Sequence, residues 1–324
     1  MRSEIRFDAH GPALGPAWLG GVARSEPATL RAGGFAPIRV MGVPLGQGAG
    51  VPGAELGPAA LRIAGVGARS AAQVRDVGDL PVPVHSARTP ALARTLRARN
   101  VGLACRRAEA AVRGAIAEGE IPVVLGGDHA LAAGSIAGAA QAVARCGGRL
   151  GVVWIDAHGD ANTPRTSPSG HLHGMPLAAL LGAFDAPFDH LAGRPPVLRP
   201  VDVVQVGVRA LDPPEAAFLD GAGVLRFGPR EVSGLAGRVV VALRHCTHLY
   251  VTFDVDALDP EEAPGTGTPE PAGLAAETIG GLFAALRRDG RVCGAEIVEV
   301  NPVLDVRNRT ASTAARLLDH LLVD

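Results

Sequence analysis

Trp154-Ile155-Asp156-Ala157-His158-Gly159-Asp160-Ala161-Asn162 closes an apolar run, Leu150 to Ile155, that predicts a buried strand. Three potential metal ligands follow at alternate positions: Asp156, His158 and Asp160. In extended chain, alternate side chains share one face, so all three can converge on one point. The carboxyl end of a parallel strand is also where α/β proteins place their chemistry. Taken alone, the stretch also fits a polar loop with a salt-bridged Asp and a surface His. The flanking chain decides between the two.

Outward from this strand, apolar runs alternate with helical periods in both directions. Strands are expected at Pro37–Val43, Gln73–Val77, Ile121–Leu125, Val201–Val206, Gly223–Phe227, Leu249–Phe253 and Val292–Val298. Helices are expected from Gly57-Pro58 to Ile63, over Val101–Ala117 and Leu131–Ala144, and from Met175 to Leu181. Three more fall within Glu231–Leu243, after the Gly/Pro-rich loop Asp259–Gly273 up to about Arg288, and over Ala311–Leu322. Continuous apolar strands between helices indicate a parallel sheet covered on both faces. The expected fold is α/β: a single-domain, three-layer α/β/α unit over 37–324, with a parallel sheet of about eight strands. An open doubly wound sheet is favoured over a barrel. Residues 1–36, rich in Gly, Pro and Ala and without periodicity, read as a poorly ordered N-terminal tail.

Composition removes several classes of function. Net charge is −1, which gives no reason to expect nucleic acid or an anionic membrane as partner. All 31 basic residues are Arg, which excludes a Schiff-base lysine and the lysine of a phosphate-binding P-loop. Cys105, Cys146, Cys246 and Cys293 are scattered, so reduced thiols and a cytoplasmic location are expected. His245-Cys246-Thr247-His248 has no partner pair elsewhere and is read as the start of a strand rather than a zinc site. No apolar run reaches the roughly 18 residues that a membrane helix needs. Gly48-Ala49-Gly50-Val51-Pro52-Gly53 matches the dinucleotide pattern GxGxxG, with Asp76 beyond it. Several residues separate the pattern from its strand, however, and Pro52 interrupts it.

Four strands end in carboxylates or histidines: His129, then Asp156/His158/Asp160, then Asp254/Asp256, then Glu299. In a parallel sheet these ends share one edge. The carboxylates repel one another unless cations neutralise them. His129, Asp156, His158, Asp160, Asp254 and Asp256 exceed the needs of one tetrahedral zinc. An oxygen-rich set of this size suits two octahedral ions and favours Mn2+ or a similar divalent ion, two per subunit. Two ions roughly 3.5–4 Å apart can share a water and lower its pKa towards neutrality.

Gly126-Gly127-Asp128-His129, Asp156-Ala157-His158-Gly159-Asp160 and Asp254-Val255-Asp256-Ala257-Leu258-Asp259-Pro260 resemble the three metal motifs of the ureohydrolases, the arginase/agmatinase family. The resemblance runs from about Val40 to the C-terminus and includes Gly57-Pro58, Gly265-Thr266-Gly267-Thr268-Pro269 and Glu299-Val300-Asn301-Pro302. Asn162, the Thr166–Gly170 run and His173-Gly174 are similar to the arginase branch. The resemblance implies that Asp156 and Asp254 bridge both ions, that His129 and Asp160 complete one site, and that His158 and Asp256 complete the other. It implies that Glu299 holds the guanidinium, that His173 relays protons with Asp160 or Asp156 as local carrier, and that Asn162, Ser169 and Asp212 read the α-carboxylate and α-amino group. Thr268 and His171 are expected on the substrate side. Two positions depart from the family: His171 stands where Asn is usual, and Ala210 where Asp is common.

The expected activity is manganese-dependent hydrolysis of L-arginine to L-ornithine and urea, with a small guanidino molecule as partner. The family resemblance also implies a homo-oligomer, a trimer or hexamer. Agmatine, guanidinobutyrate or a modified arginine are alternative substrates. A dehydrogenase resting on GxGxxG, or a metal-binding protein without turnover, leaves more of the constellation unexplained.

Overall fold

The computed structural model describes residues 27–30, 36–67, 73–83, 90–183, 188 and 197–322. Among them, one sheet forms from β1 (Ile38–Val43), β2 (Val74–Asp79), β3 (Ile121–Gly126), β4 (Leu150–Ile155), β5 (Val203–Val206), β6 (Leu225–Phe227), β7 (His248–Asp254) and β8 (Val292–Val298). The order is β2-β1-β3-β8-β7-β4-β5-β6, and every pairing is parallel. β3, β4 and β8 are buried along their whole length, which is why they show no polar alternation.

Helices cover both faces. α2 (Pro90–Ala117), α3 (Ala132–Arg145), α4 (Pro176–Leu180) and α5 (Pro213–Ala222) lie on one side. α1 (Gly57–Ile63), α6 (Leu235–Ala242), α7 (Ala276–Asp289) and α8 (Arg309–Leu322) lie on the other. Successive strand residues feed opposite cores: Val153 and Ile155 join the α7/α8 side, while Val152 and Trp154 join the α2/α3 side. Each such fully buried aliphatic side chain contributes about 1.5–3 kcal/mol. The three-layer fold expected from the sequence is therefore present.

The larger departures from expectation concern α2, β5, α5 and the N-terminal segment. α2 begins at Pro90 rather than Val101; exposed Arg94, Arg97 and Arg99 interrupt the apolar pattern ahead of Val101. β5 begins at Val203, after a short 3-10 turn at Pro200–Asp202. α5 had no counterpart among the expected helices, although Asp212-Pro213-Pro214-Glu215 carries a start signal. Most of 1–36 lies outside the described residues. Leu30, though, is buried and its N–H donates to the Val292 carbonyl at 2.7 Å, so that residue packs at the start of β8. No helix among the described residues is long and apolar enough to cross a membrane.

The four central strands, β3, β8, β7 and β4, are neighbours in space although far apart in the chain. Their carboxyl ends define the position of the site.

Candidate active site

β3 runs into Gly127-Asp128-His129. A Cβ on Gly127 would lie 1.8 Å from the Leu45 carbonyl oxygen, so only glycine allows this crossing. The Asp128 carboxylate accepts the Gly48 N–H at 2.7 Å and the Ala130 N–H at 3.1 Å, which sets the turn that presents His129. His129 Nδ1 lies 3.0 Å from Asp156 Oδ2, 2.9 Å from Asp160 Oδ2 and 3.2 Å from Asp254 Oδ2. Its Nε2 faces the Thr252 hydroxyl at 2.8 Å, and its ring stacks on Trp154 at 4.7 Å. Trp154 Nε1–H donates to Asp156 Oδ2 at 3.0 Å.

A second node forms around His158, whose Nδ1 lies 3.1 Å from Asp256 Oδ2 and 3.5 Å from Asp156 Oδ1. Asp156 therefore presents one oxygen to each node. Asp254 turns Oδ1 to the Asp256 N–H at 2.9 Å and directs Oδ2 at His129. Asp256 is held by the Ala157 N–H at 3.1 Å and the Thr268 hydroxyl at 3.1 Å.

This donor set fits divalent cations. His129 Nδ1 and Asp160 Oδ2 are buried without a hydrogen bond of proper geometry, an expensive arrangement unless an ion completes them. Burial, then repulsion from Asp156, pushes the Asp160 carboxyl up to about 7. Burial, with Asp256 and Asp156 alongside, raises Asp254 well above the usual carboxylate range. Burial works against charge on His129, yet Asp160, Asp156 and Asp254 hold its pKa far above the usual imidazole value. The pocket thus favours positive charge at its centre.

Glu299 follows β8 in the left-handed region, φ 63°, and Asp160 does the same at φ 51°. Such backbone costs on the order of 1–3 kcal/mol per residue and clusters at functional sites. The Glu299 N–H donates to the Gly127 carbonyl at 2.8 Å, and its Oε1 accepts the His129 N–H at 2.9 Å. The same oxygen lies 2.8 Å from His173 Nδ1. Burial opposes ionisation of Glu299, but His173 and the His129 N–H hold its pKa below the usual range. Burial likewise opposes charge on His173, and Glu299 overrides it, raising His173 to about 9.

The Gly48 carbonyl accepts the N–H groups of Leu172 and His173 at 2.9 and 3.3 Å. A Cβ on Gly50 would lie 2.1 Å from His171 Cε1, so the glycine-rich loop seats the His171–His173 turn directly. Its Gly48 amide is spent on Asp128, and Asp76 is paired with Arg62 at 2.7 Å. Neither is arranged to hold a dinucleotide. Asn162 Nδ2 donates to Asp212 Oδ2 at 2.9 Å, and Ser169 Oγ accepts the His171 N–H at 3.2 Å. Asn162, Ser169, His171, His173, Asp212 and Thr268 line one cavity of about 600 Å³ with His129, His158, Asp160, Asp254 and Asp256. Asp156 lies beneath it, and Glu299 faces a smaller adjoining chamber of about 190 Å³ bordered by His173.

Glu215 and Glu296 are among the supporting residues that escaped the sequence reading. Glu215 Oε1 accepts the Ala161 N–H at 2.8 Å and fixes the segment between Asp160 and Asn162. Glu296 sits fully buried behind Thr252, bonded to the Ser135 hydroxyl and, at 3.2 Å, to the Tyr250 hydroxyl. Glu215 was detectable as the third residue of a helix opening Asp-Pro-Pro-Glu; Glu296 carried no signal beyond being an acid inside an apolar strand. At the far end of the sheet, His245 and Cys246 gather on Asp202, with His245 Nε2 at 3.0 Å. Arg149 Nε donates to the same oxygen at 2.7 Å, so a cation already occupies that cluster. The four cysteines are free thiols.

Comparison with known proteins agrees with this geometry. The Arginase family model matches residues 36–323. The chain is 40% identical over 298 residues to the arginase of Bacillus caldovelox, covering 88% of this chain and 97% of that protein. The native structure of the B. caldovelox arginase at pH 5.6 superposes with a TM-score of 0.83 at 37% identity, over 89% of this chain and 99% of that one. The arginase structure from Bacillus subtilis gives 0.81 at 34% identity, again over 89% and 99%. The carboxylate–imidazole centre, the parallel eight-stranded sheet and these matches lead to one conclusion: the chain belongs to the arginase family and is a hydrolase of the ureohydrolase type.

Proposed function

We propose that this protein hydrolyses L-arginine to L-ornithine and urea, with two Mn2+ ions held by His129, Asp156, Asp160, Asp254, His158 and Asp256. Divalent cations bound there supply an activated water near neutral pH. The observation that carries the reading is Glu299. A buried, ionised carboxylate beside the His129 node is what a cationic guanidinium requires for docking next to the centre. Glu299 would orient the guanidinium carbon towards the ligand cluster. Breaking the carbon–nitrogen bond leaves an amine that needs a proton. His173, protonated at neutral pH and 2.8 Å from Glu299, is placed to deliver it, with Asp160 as a local carrier.

Asn162, Ser169 and His171 supply donors for the substrate carboxylate, and Asp212 an acceptor for its ammonium. Burial, with His173 and Arg97 nearby, lowers the His171 pKa, so its ring acts as a neutral donor in place of an amide. Agmatine lacks the carboxylate and would leave such donors unpaired, at on the order of 1–3 kcal/mol each. A urea assay over a guanidino substrate panel with Mn2+ present tests the reading. L-Arginine is expected to exceed agmatine in kcat/KM by at least about 100-fold, roughly two lost hydrogen bonds. His171→Asn is expected to keep that preference. Turnover of agmatine or guanidinobutyrate equal to that of L-arginine would reject the carboxylate-reading role of Asn162, Ser169 and His171 and place the protein in another branch of the family.

A further inference from the structure

His158 turns Nδ1 towards Asp256 and Asp156 and leaves Nε2 outside the cluster. That second nitrogen lies 3.8 Å from Glu270 Oε1. A histidine that holds a metal through one ring nitrogen commonly gives its other N–H to a carboxylate, which fixes both tautomer and ring orientation. Ala210, which pairs with His158 through an isolated parallel bridge, carries only a methyl group. No side-chain acceptor can come from that position.

Glu270 is held in an unusually constrained frame for an acidic residue at a cavity edge. Pro269 and Pro271 flank it, and each proline ring fixes its own φ. Its carbonyl accepts Arg209 Nη2–H at 2.7 Å, and the Pro271 carbonyl accepts Arg209 Nε–H at 3.0 Å. Arg209 Nη2–H also donates to the Asp256 carbonyl at 2.8 Å. One guanidinium therefore ties the backbone of Glu270 to the segment that carries a ligand of the same node. The Glu270 side chain is partly exposed, 37%, and needs a shift of only about 1 Å to bring 3.8 Å to hydrogen-bond length.

We propose that Glu270 is a positioning residue for the second cation site. Its carboxylate accepts the His158 Nε2–H, holds the ring with the Nδ1 lone pair directed into the cluster, and supplies the acceptor that Ala210 lacks. This inference rests on the binuclear reading given above. Glu270 also borders the substrate cavity, so direct contact with a substrate ammonium is the competing role.

Metal retention separates them. Full-length holoenzyme, wild type and variants, is dialysed against Mn2+ buffered by graded chelator, and manganese per chain is counted by elemental analysis. Wild type is expected to keep two ions. Glu270→Ala is expected to lose one ion at roughly 10–100-fold higher free Mn2+ than wild type, with the other ion retained as before. Glu270→Gln keeps an acceptor oxygen without the charge and is expected to fall between them. At saturating Mn2+, KM for L-arginine should stay within about 2-fold of wild type, a difference well under 1 kcal/mol. Unchanged retention in both variants overturns the proposal, as does a raised KM with unchanged retention. Wild type that holds one ion or none overturns the binuclear reading itself.

Discussion

His173 and Glu299 share one hydrogen bond, and their opposite shifts have the same origin: each stabilises the other's charge inside a pocket that disfavours both. A raised folded pKa means that the proton is present at neutral pH and lost as pH rises through about 9. If that proton goes to the leaving amine, kcat should fall over that range. His173→Ala should lower kcat by roughly 10²–10⁴-fold, change KM much less, and remove the limb near 9. A pH–rate profile of the variant that matches wild type would return His173 to an ordinary loop residue. The strained backbones of Asp160 and Glu299 belong to the same scale. Each is set by bonds from neighbours, through Leu177 N–H to the Asp160 carbonyl at 2.8 Å and Glu299 N–H to the Gly127 carbonyl at 2.8 Å.

At the scale of elements, α5 does more than cover the sheet. Glu215 in its first turn reaches the Ala161 N–H and also accepts the Asp212 N–H at 3.3 Å. One buried carboxyl thus joins the helix start to the loop after β4. Burial raises its pKa, and a protonated Glu215 still offers an acceptor oxygen. Glu215→Ala leaves two backbone donors without their acceptor and should cost about 1–3 kcal/mol of stability by denaturant titration. Glu215→Gln retains an acceptor oxygen and should recover most of that loss. Equal midpoints for all three proteins would mean that water replaces the carboxyl at no cost.

For the molecule as a whole, two cores on opposite faces of one sheet carry the fold, and the α7/α8 core reaches back to Leu30. Removing residues 1–26 should leave thermal stability and urea production unchanged. A chain beginning at Phe35 loses Leu30 as well, and burial of one such side chain is worth about 1.5–3 kcal/mol. That shorter chain should melt earlier yet still produce urea at low temperature. An equal Tm for both truncations would show that Leu30 adds nothing. An inactive chain lacking only residues 1–26 would show that the N-terminal segment serves the site.

Local pattern was enough for much of this. The apolar runs without alternation predicted a parallel sheet covered on both faces, because burial of both faces of a strand demands it. The acids and histidines at four strand ends pointed to one edge, because parallel strands all end on the same side. Hydrophobic pattern says which residues are buried, but not which strand lies beside which. The order β3-β8-β7-β4 is settled by how the helical crossovers pack, and it alone brings His129, Glu299, Asp254 and Asp156 together. The same holds for contacts across long separations: Glu215 on Ala161, Thr252 on His129, Glu270 near His158, Leu30 on Val292. Thr252, Glu270 and Leu30 are ordinary residues in their own stretches. The packed chain makes them neighbours, and a periodicity read over one or two turns carries no information at that range.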